Sequence, residues 1–382
     1  MLTLDEAVSL AGALRPAFAA TAAAHDRAAT FPHENLAALR EAGLLALTCR
    51  PEWGGDGLGV EAAVRVVESV ARGEPSTALV LAMQYIHHGA PARHGLWNAV
   101  GLERMTREAV SDGALLNVMR VEPELGTPTR GGTPATVATR TATGWRIRGR
   151  KLYATGGPGL AYFITFCAVA GDEPAVGWFA VPAGAKGLSL VETWDHLGMR
   201  ATGSHDLLLE DVEIPEEFGL QWWSGAGGAL EPYTGVFNNL VIAAVYHGVA
   251  KAARDWLVAY LHERKPSNLG ASLATLPRMQ AAVGDLETLL FTSDRLLYGL
   301  ASEVDAGRPS ASLGVQTSQA KYVVTENAIK AVEIGLRLVG NPGLSRRNPL
   351  ERHYRDVLCG RVHVPQEDMV QAMAGRAALG AR

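Results

Sequence analysis

Apolar residues in the first hundred positions recur at helical spacing, as in Leu36, Leu39 and Ala42 and again in Val64, Val67 and Val70. Glycine stops at Gly43 and Gly54-Gly55-Asp56-Gly57 divide this region, and the pattern predicts one helix over Val60 to Val70 and another over Thr77 to His88. From about Gly113 to Pro215 the period shortens. Ala135 to Arg140 alternates, Thr143-Gly144 turns, and Trp145 to Tyr153 returns as a second strand. Tyr162 to Val169, Val176 to Val181 and Asp206 to Val212 read as further strands, so this stretch is expected to form a small β-barrel or sandwich. The helical period resumes near Phe237, with long helices at roughly 237–264, 278–305 and 315–340 and a last one from about 350. Long helices with short connections predict an antiparallel four-helix bundle. The expected fold class is α+β: an N-terminal α-helical domain (1–112), a middle β-barrel domain (113–222) and a C-terminal helical bundle (223–382). No internal repeat is visible, and Trp222 to Tyr233, rich in Gly and Ala, is expected to be a flexible loop.

Composition narrows the function classes. With 382 residues, 48% hydrophobic content and a net charge of −4, the chain can bury a sizeable core, and charge gives no case for nucleic acid or an anionic membrane. No run of 18 or more apolar residues predicts a membrane span. Cys49, Cys167 and Cys359 are far apart, so neither a disulfide framework nor a zinc site is expected, and a cytoplasmic location is expected from reduced thiols and the absence of a signal-like start. His87-His88 with His94 could suggest a metal, but no acidic or Cys partner stands at ligand spacing, so none is expected.

Four motifs carry a resemblance. Val121-Glu122-Pro123-Glu124-Leu125-Gly126-Thr127 is similar to a Thr-Glu-Pro-x-x-Gly-Ser segment. Gly149 to Gly157 resembles Gly-x-Lys-x-Trp-Ile-Thr-Asn. His196-Leu197-Gly198-Met199-Arg200, followed by Asp211-Val212-Glu213-Ile214-Pro215, resembles Leu-Gly-Met-Arg…Asp-Val-x-Val-Pro, and Arg355-Asp356 closes the series. Their order and spacing resemble the acyl-CoA dehydrogenase superfamily over nearly the whole chain. The resemblance implies a flavin, FMN or FAD, held by Val121, Glu122, Gly126, Thr127, Tyr153, Ala154 and Thr155, with Thr155 as a hydroxyl beside the ring. A reduced flavin ring needs hydrogen-bond partners that add no net charge, and backbone N–H groups and a hydroxyl meet that need.

The sequence departs from the dehydrogenase pattern in two places. The elements that grip the ADP half of FAD are thinned, although Arg264, Gly340 and Gly343 can still meet a pyrophosphate, since a cation and close backbone approach suit phosphates. The catalytic Glu that the resemblance places eight residues after Asp356 is Val364, and the alternative position early in the first bundle helix falls at Asn238-Asn239. Neither residue can take an α-proton. Glu231, Glu367 or Asp368 could substitute only through a shifted backbone.

The residues after Arg355-Asp356 are closer to the flavin-dependent monooxygenase branch, dibenzothiophene monooxygenase-like, in which an Arg is succeeded at this spacing by His-x-Pro. Here that is His363-Val364-Pro365. The resemblance implies a reduced-flavin-dependent monooxygenase acting on a small organic substrate, with His363 and Thr155 steering a flavin peroxide. The second histidine of that branch aligns with Ile86 here, and its neighbours His87 and His88 are the candidates, His87 first. An imidazole that packs or caps at a helix end is the plainer alternative for His363 and His87. No G-x-G-x-x-G succeeds a strand, so reduced flavin would come from a separate reductase. Family members are usually tetramers, so a homotetramer is expected. Two other functions remain open: an acyl-CoA dehydrogenase with a non-standard base, and a non-catalytic flavin-binding paralogue.

Overall fold

The computed structural model describes residues 1–95, 97–126, 132–224, 232–307 and 312–380. Five helices come first: α1 (Leu4–Ala28), α2 (His33–Glu41), α3 (Val60–Ala71), α4 (Pro75–His94) and α5 (Ala99–Asp112). Their starts are written in the sequence. Thr3 and Glu6 form a reciprocal capping box on α1, the Glu74 carboxylate accepts from the Ser76 and Thr77 N–H groups ahead of Pro75, and Asn98 caps α5. α3 is buried almost all round and packs on α1, α4, α6 and α7. α1 has the length and mean hydropathy to cross a membrane, and here its Ala7, Ala11, Phe18 and Ala22 are buried in the fold.

The middle segment contains β1 (Leu115–Met119), β2 (Val137–Arg140), β3 (Gly144–Ala154), β4 (Leu160–Val169), β5 (Ala175–Pro182), β6 (Leu188–Val191), β7 (His205–Pro215) and β8 (Gly219–Ser224). What the pattern predicts as a small barrel or sandwich is one eight-stranded sheet in the order β6-β7-β3-β2-β4-β5-β8, with β1 parallel to β4 on its flank. Trp222 to Ser224, expected in a loop, belong to edge strand β8. The rest of that expected loop up to Glu231 lies outside the described residues.

The C-terminal segment is built from α6 (Pro232–Glu263), α7 (Pro277–Asp305), α8 (Leu313–Val339), α9 (Leu350–Leu358) and α10 (Glu367–Leu379). The last helix expected from the sequence is therefore two helices, interrupted from Cys359 to Gln366, and His363 stands in the break. Pro365 offers no N–H and Gly360 sits against Tyr246, where an added Cβ would lie 3.0 Å from the ring. α6 and α8 start together, Asn239 Nδ2 donating to the Thr317 and Ser318 hydroxyls at 3.3 and 3.0 Å. At Gly248 α6 lies so close to α3 that a Cβ would meet Ala71 at 2.6 Å.

Arg355-Asp356 works as a clamp among the three segments. The Arg355 guanidinium holds both oxygens of Asp26 on α1 at 2.8 and 2.6 Å, both oxygens of Glu351, and the Leu197 carbonyl. The Asp356 carboxylate accepts the Met199 N–H at 2.7 Å, and Gly198 lies where a Cβ would meet the Arg355 carbonyl at 2.2 Å. Two of the motifs are thus the two sides of one domain junction.

Candidate flavin site

The Glu122-Pro123 and Gly-x-Lys motifs meet in a buried ion pair. Lys151 Nζ lies 2.6 Å from Glu122 Oε1, and both side chains are sealed from solvent. Glu122 also accepts the N–H groups of Ala135 and Thr136, at 2.6 and 3.0 Å, and the Leu152 N–H donates to the Val121 carbonyl. Burial opposes charge on both partners. For Glu122 the Lys151 ammonium and the N–H donors outweigh it, so its carboxyl titrates below the usual range, whereas Lys151 is pushed below its ordinary value. The Glu122 side chain therefore turns inward and fixes the segment, leaving the backbone from Val121 to Gly126 as the part that can meet a ligand. An added Cβ at Gly126 would stand in open space, and its φ of +67° requires glycine. Thr127 lies outside the described residues.

At the end of β3, Tyr153 adopts left-handed backbone geometry (φ 59°) with its ring 49% exposed, a conformation rarely taken by an aromatic residue. The ring stands edge-on to Trp194 and His196. Ala154 is buried beneath it, and Thr155 opens a chain of hydroxyls. Thr155 Oγ1 lies 2.9 Å from Ser204 Oγ, which lies 2.7 Å from Thr202 Oγ1, and Thr202 donates to the Met199 carbonyl. Each hydroxyl has one proton. With Thr202 committed to a carbonyl, Ser204 donates to Thr202 and Thr155 donates to Ser204. Thr155 thus presents acceptor lone pairs, which suit the N–H of a reduced ring better than the bare nitrogen of an oxidised one. An exposed aromatic, an oriented hydroxyl and a glycine opening with no added charge fit a flavin ring.

In the α9–α10 break, His363 Nε2 lies 2.6 Å from the Tyr246 hydroxyl of α6. Lys321 donates to the carbonyls of His363 and Pro365, and Asn238 Nδ2 donates to the Val364 carbonyl. Burial and the nearby Lys321 push His363 down to about 3, and burial lowers Lys321 to about 8 and raises Tyr246. His363 and Tyr246 are both neutral, and Nδ1 of His363 has no partner among the described residues. Neither position at which the resemblance places a carboxylate base is acidic. Val364 is apolar, and Asn238 and Asn239 hold the break and α8 in place.

His87 is buried on α4 and meets no hydrogen-bond partner among the described residues. Its neighbour His88 lies 3.4 Å from the Thr106 hydroxyl. Arg264, Gly340 and Gly343 are not gathered with these residues. Arg264 comes directly after the last residue of α6, about five turns and roughly 27 Å beyond Tyr246. Gly340 ends α8, which runs alongside α6, and Gly343 packs on Leu336 and Leu350. All three therefore share the far end of the bundle. His247, Glu68 and Asp294 form a polar cluster that the sequence pattern does not reveal. Lys251 donates to both carboxylates there, so an ammonium already supplies the positive charge.

Three buried histidines and half-buried His363 predict an acid-sensitive fold. Burial lowers His87 well below the ordinary imidazole value, His88 to about 4, and His353 and His363 to about 3. Below pH 6.5 each binds a proton on unfolding, so each removes stability as pH falls. Asp356, raised by burial to about 7, acts the opposite way, since the folded state holds its proton up to that pH. Near pH 5 the net uptake on unfolding from these groups is about three protons (four from histidines less one from Asp356). The thermal midpoint should fall steeply between pH 6.5 and 4.5. A midpoint constant over that window in a calorimetric series would contradict these assignments.

Helices, a β-sheet segment and a helical bundle around such a ring site define a flavin-dependent oxidoreductase layout. Models described as the N-terminal, middle and C-terminal domains of acyl-CoA dehydrogenase match residues 11–95, 118–212 and 240–367. The chain is 34% identical over 359 residues to the putative acyl-CoA dehydrogenase YdbM of Bacillus subtilis, covering 94% of this chain and 93% of that one. It is 30% identical over 368 residues to the amino sugar nitrososynthase DnmZ of Streptomyces peucetius, covering 90% and 85%. KijD3 in complex with FMN and dTDP-3-amino-2,3,6-trideoxy-4-keto-3-methyl-D-glucose superposes with a TM-score of 0.87 at 27% identity, covering 99% of this chain and 94% of that one. The chain belongs to the acyl-CoA dehydrogenase family and is a flavoprotein of its fold.

Proposed function

We propose that this flavoprotein is a reduced-flavin-dependent monooxygenase of a small organic substrate. One observation carries the reading. At both positions where a dehydrogenase would keep its carboxylate, this chain has a non-acidic residue, and beside one of them neutral His363 is hydrogen-bonded to Tyr246. Removing an α-proton needs a base of suitable pKa, and His363, lowered to about 3, is not one, whereas its neutral imidazole can still hydrogen-bond an oxygen species through its free nitrogen. A flavin supplies oxygen activation when bound. Thr155 and the Val121–Gly126 backbone would hold its ring, and His363, with its orientation set by Tyr246 and Lys321, would hold or move a proton. His87 is the second histidine of the proposal.

FMN is favoured because the elements for an ADP half are thinned and because KijD3 was solved with FMN. Arg264, Gly340 and Gly343 lie far along the bundle from His363, so a role at a flavin would have them serve a neighbouring subunit in a homotetramer. A separate reductase would supply reduced flavin.

A second reading draws on the name of YdbM. A dehydrogenase would need a displaced carboxylate, and Glu367 instead bonds Tyr322 and Gln371 at the surface. The two readings separate in one assay. With chemically reduced FMN and oxygen, a panel of small aromatic and heteroatom-bearing compounds should yield an oxygenated product. Bleaching of bound flavin by acyl-CoAs without oxygen, and no oxygenated product, would favour the dehydrogenase. A folded protein that retains no flavin would favour the non-catalytic paralogue.

A further inference from the structure

Arg120 stands just after β1, directly before the Val121–Gly126 segment, and the parallel register of β1 with β4 pairs its neighbour Met119 with Thr165, the residue before Phe166. Phe166 pairs with Trp178 across β4 and β5, and their rings lie 4.6 Å apart. Trp223 of β8 lies 6.2 Å from Phe166 and completes an aromatic wall. The Arg120 guanidinium stands over the Trp178 ring at 5.1 Å. Among the described residues no carboxylate lies within ion-pair range of it and no acceptor meets any of its five N–H groups. α4 packs against β1, and His87 feels the Arg120 charge, which together with burial keeps its imidazole neutral.

The Arg120 guanidinium is half-buried. Cation–π contact offsets part of its charge and leaves its N–H donors open, to solvent or to a ligand. A cation held over an aromatic wall with no protein partner among the described residues is placed to receive an anion. We propose that Arg120, with His87 beside it and Phe166, Trp178 and Trp223 as an aromatic wall, binds the carboxylate of the substrate, an apolar and most simply aromatic acid. A planar guanidinium matches a carboxylate with two parallel N–H···O bonds. One cation and one neutral imidazole against an aromatic wall neutralise a monoanion. A phosphate dianion would leave net charge in apolar surroundings. This rests on the oxygenase reading and narrows its substrate class.

The test is equilibrium binding to the full-length, FMN-loaded protein, read by calorimetry and tryptophan fluorescence. Phenylacetate and benzoate are compared with phenylacetamide, benzamide and phenyl phosphate. The acids should bind about ten- to hundredfold more tightly than their amides, the range of a charge-assisted hydrogen bond. Arg120→Met should erase that preference while keeping the melting temperature and FMN affinity of the wild type, and Arg120→Lys should retain part of it. Equal binding of acids and amides, absence of binding by any acid, preference for phenyl phosphate, or loss of FMN affinity in Arg120→Met with the acid preference intact would each overturn the assignment. The measurement needs no turnover. Acid binding without oxygenated product would therefore fault the oxygenase reading and leave the anion site standing.

Discussion

Lys151→Met is expected to destabilise the protein by about 3–5 kcal/mol, because it leaves the Glu122 carboxylate charged and sealed among apolar groups. In a chain of this size that corresponds to a fall of roughly 5–10 °C in the thermal midpoint. The lost Nζ–Oε1 contact of 2.6 Å is not the main term, since the desolvated charge left behind dominates. The double variant Glu122→Gln/Lys151→Met removes that charge and still offers an amide oxygen to the N–H groups of Ala135 and Thr136. It should recover at least about half of the loss, a coupling that a double-mutant cycle reads directly. Simple additivity of the two single variants would show that the pair does not act as a unit. FMN affinity should fall in the single variant together with stability, because the Val121–Gly126 backbone is held by this pair.

His363→Ala is the second large effect. If His363 holds or moves the proton at the reacting centre, turnover should fall by about 10²–10⁴-fold with FMN affinity unchanged. Tyr246→Phe removes one hydrogen bond to the same ring and should cost about 2–10-fold. Because burial and Lys321 keep His363 neutral down to about pH 3, the rate should show no inflection from this imidazole between pH 5 and 7. Unchanged turnover in His363→Ala would reduce the residue to a packing role at the α9–α10 break.

The motif residues were legible in the sequence because their chemistry depends on order and spacing along the chain. That Arg355-Asp356 and His196–Arg200 belong together came from resemblance, and the structure supplies the reason: Asp356 accepts the Met199 N–H, and Gly198 admits the Arg355 carbonyl. The helices were readable from their period. β1 escaped because Leu115 to Met119 is a short, largely apolar run with no alternation, directly after a helix. β8 escaped because Gly219-Leu220-Gln221 offers no strand-like run and its tryptophans read as loop. The break that carries His363 was hidden inside a helix-like stretch. Glu122 read as a cofactor contact because nothing in a linear chain shows that its carboxylate meets Lys151, 29 residues on. Arg120 carries no motif in the sequence. A single cation after a strand reads as solvated, and only the folded sheet sets it over Trp178.

The most direct measurement of the oxygenase claim mixes the protein with reduced FMN in the absence of oxygen, then admits oxygen and tracks the return of oxidised-flavin absorbance by stopped flow. An oxygenase should show a return slower than that of free reduced FMN and in more than one phase, with the delay shortened in His363→Ala. A return as fast as that of free flavin, together with bleaching of the bound flavin by an acyl-CoA before oxygen is admitted, would contradict it.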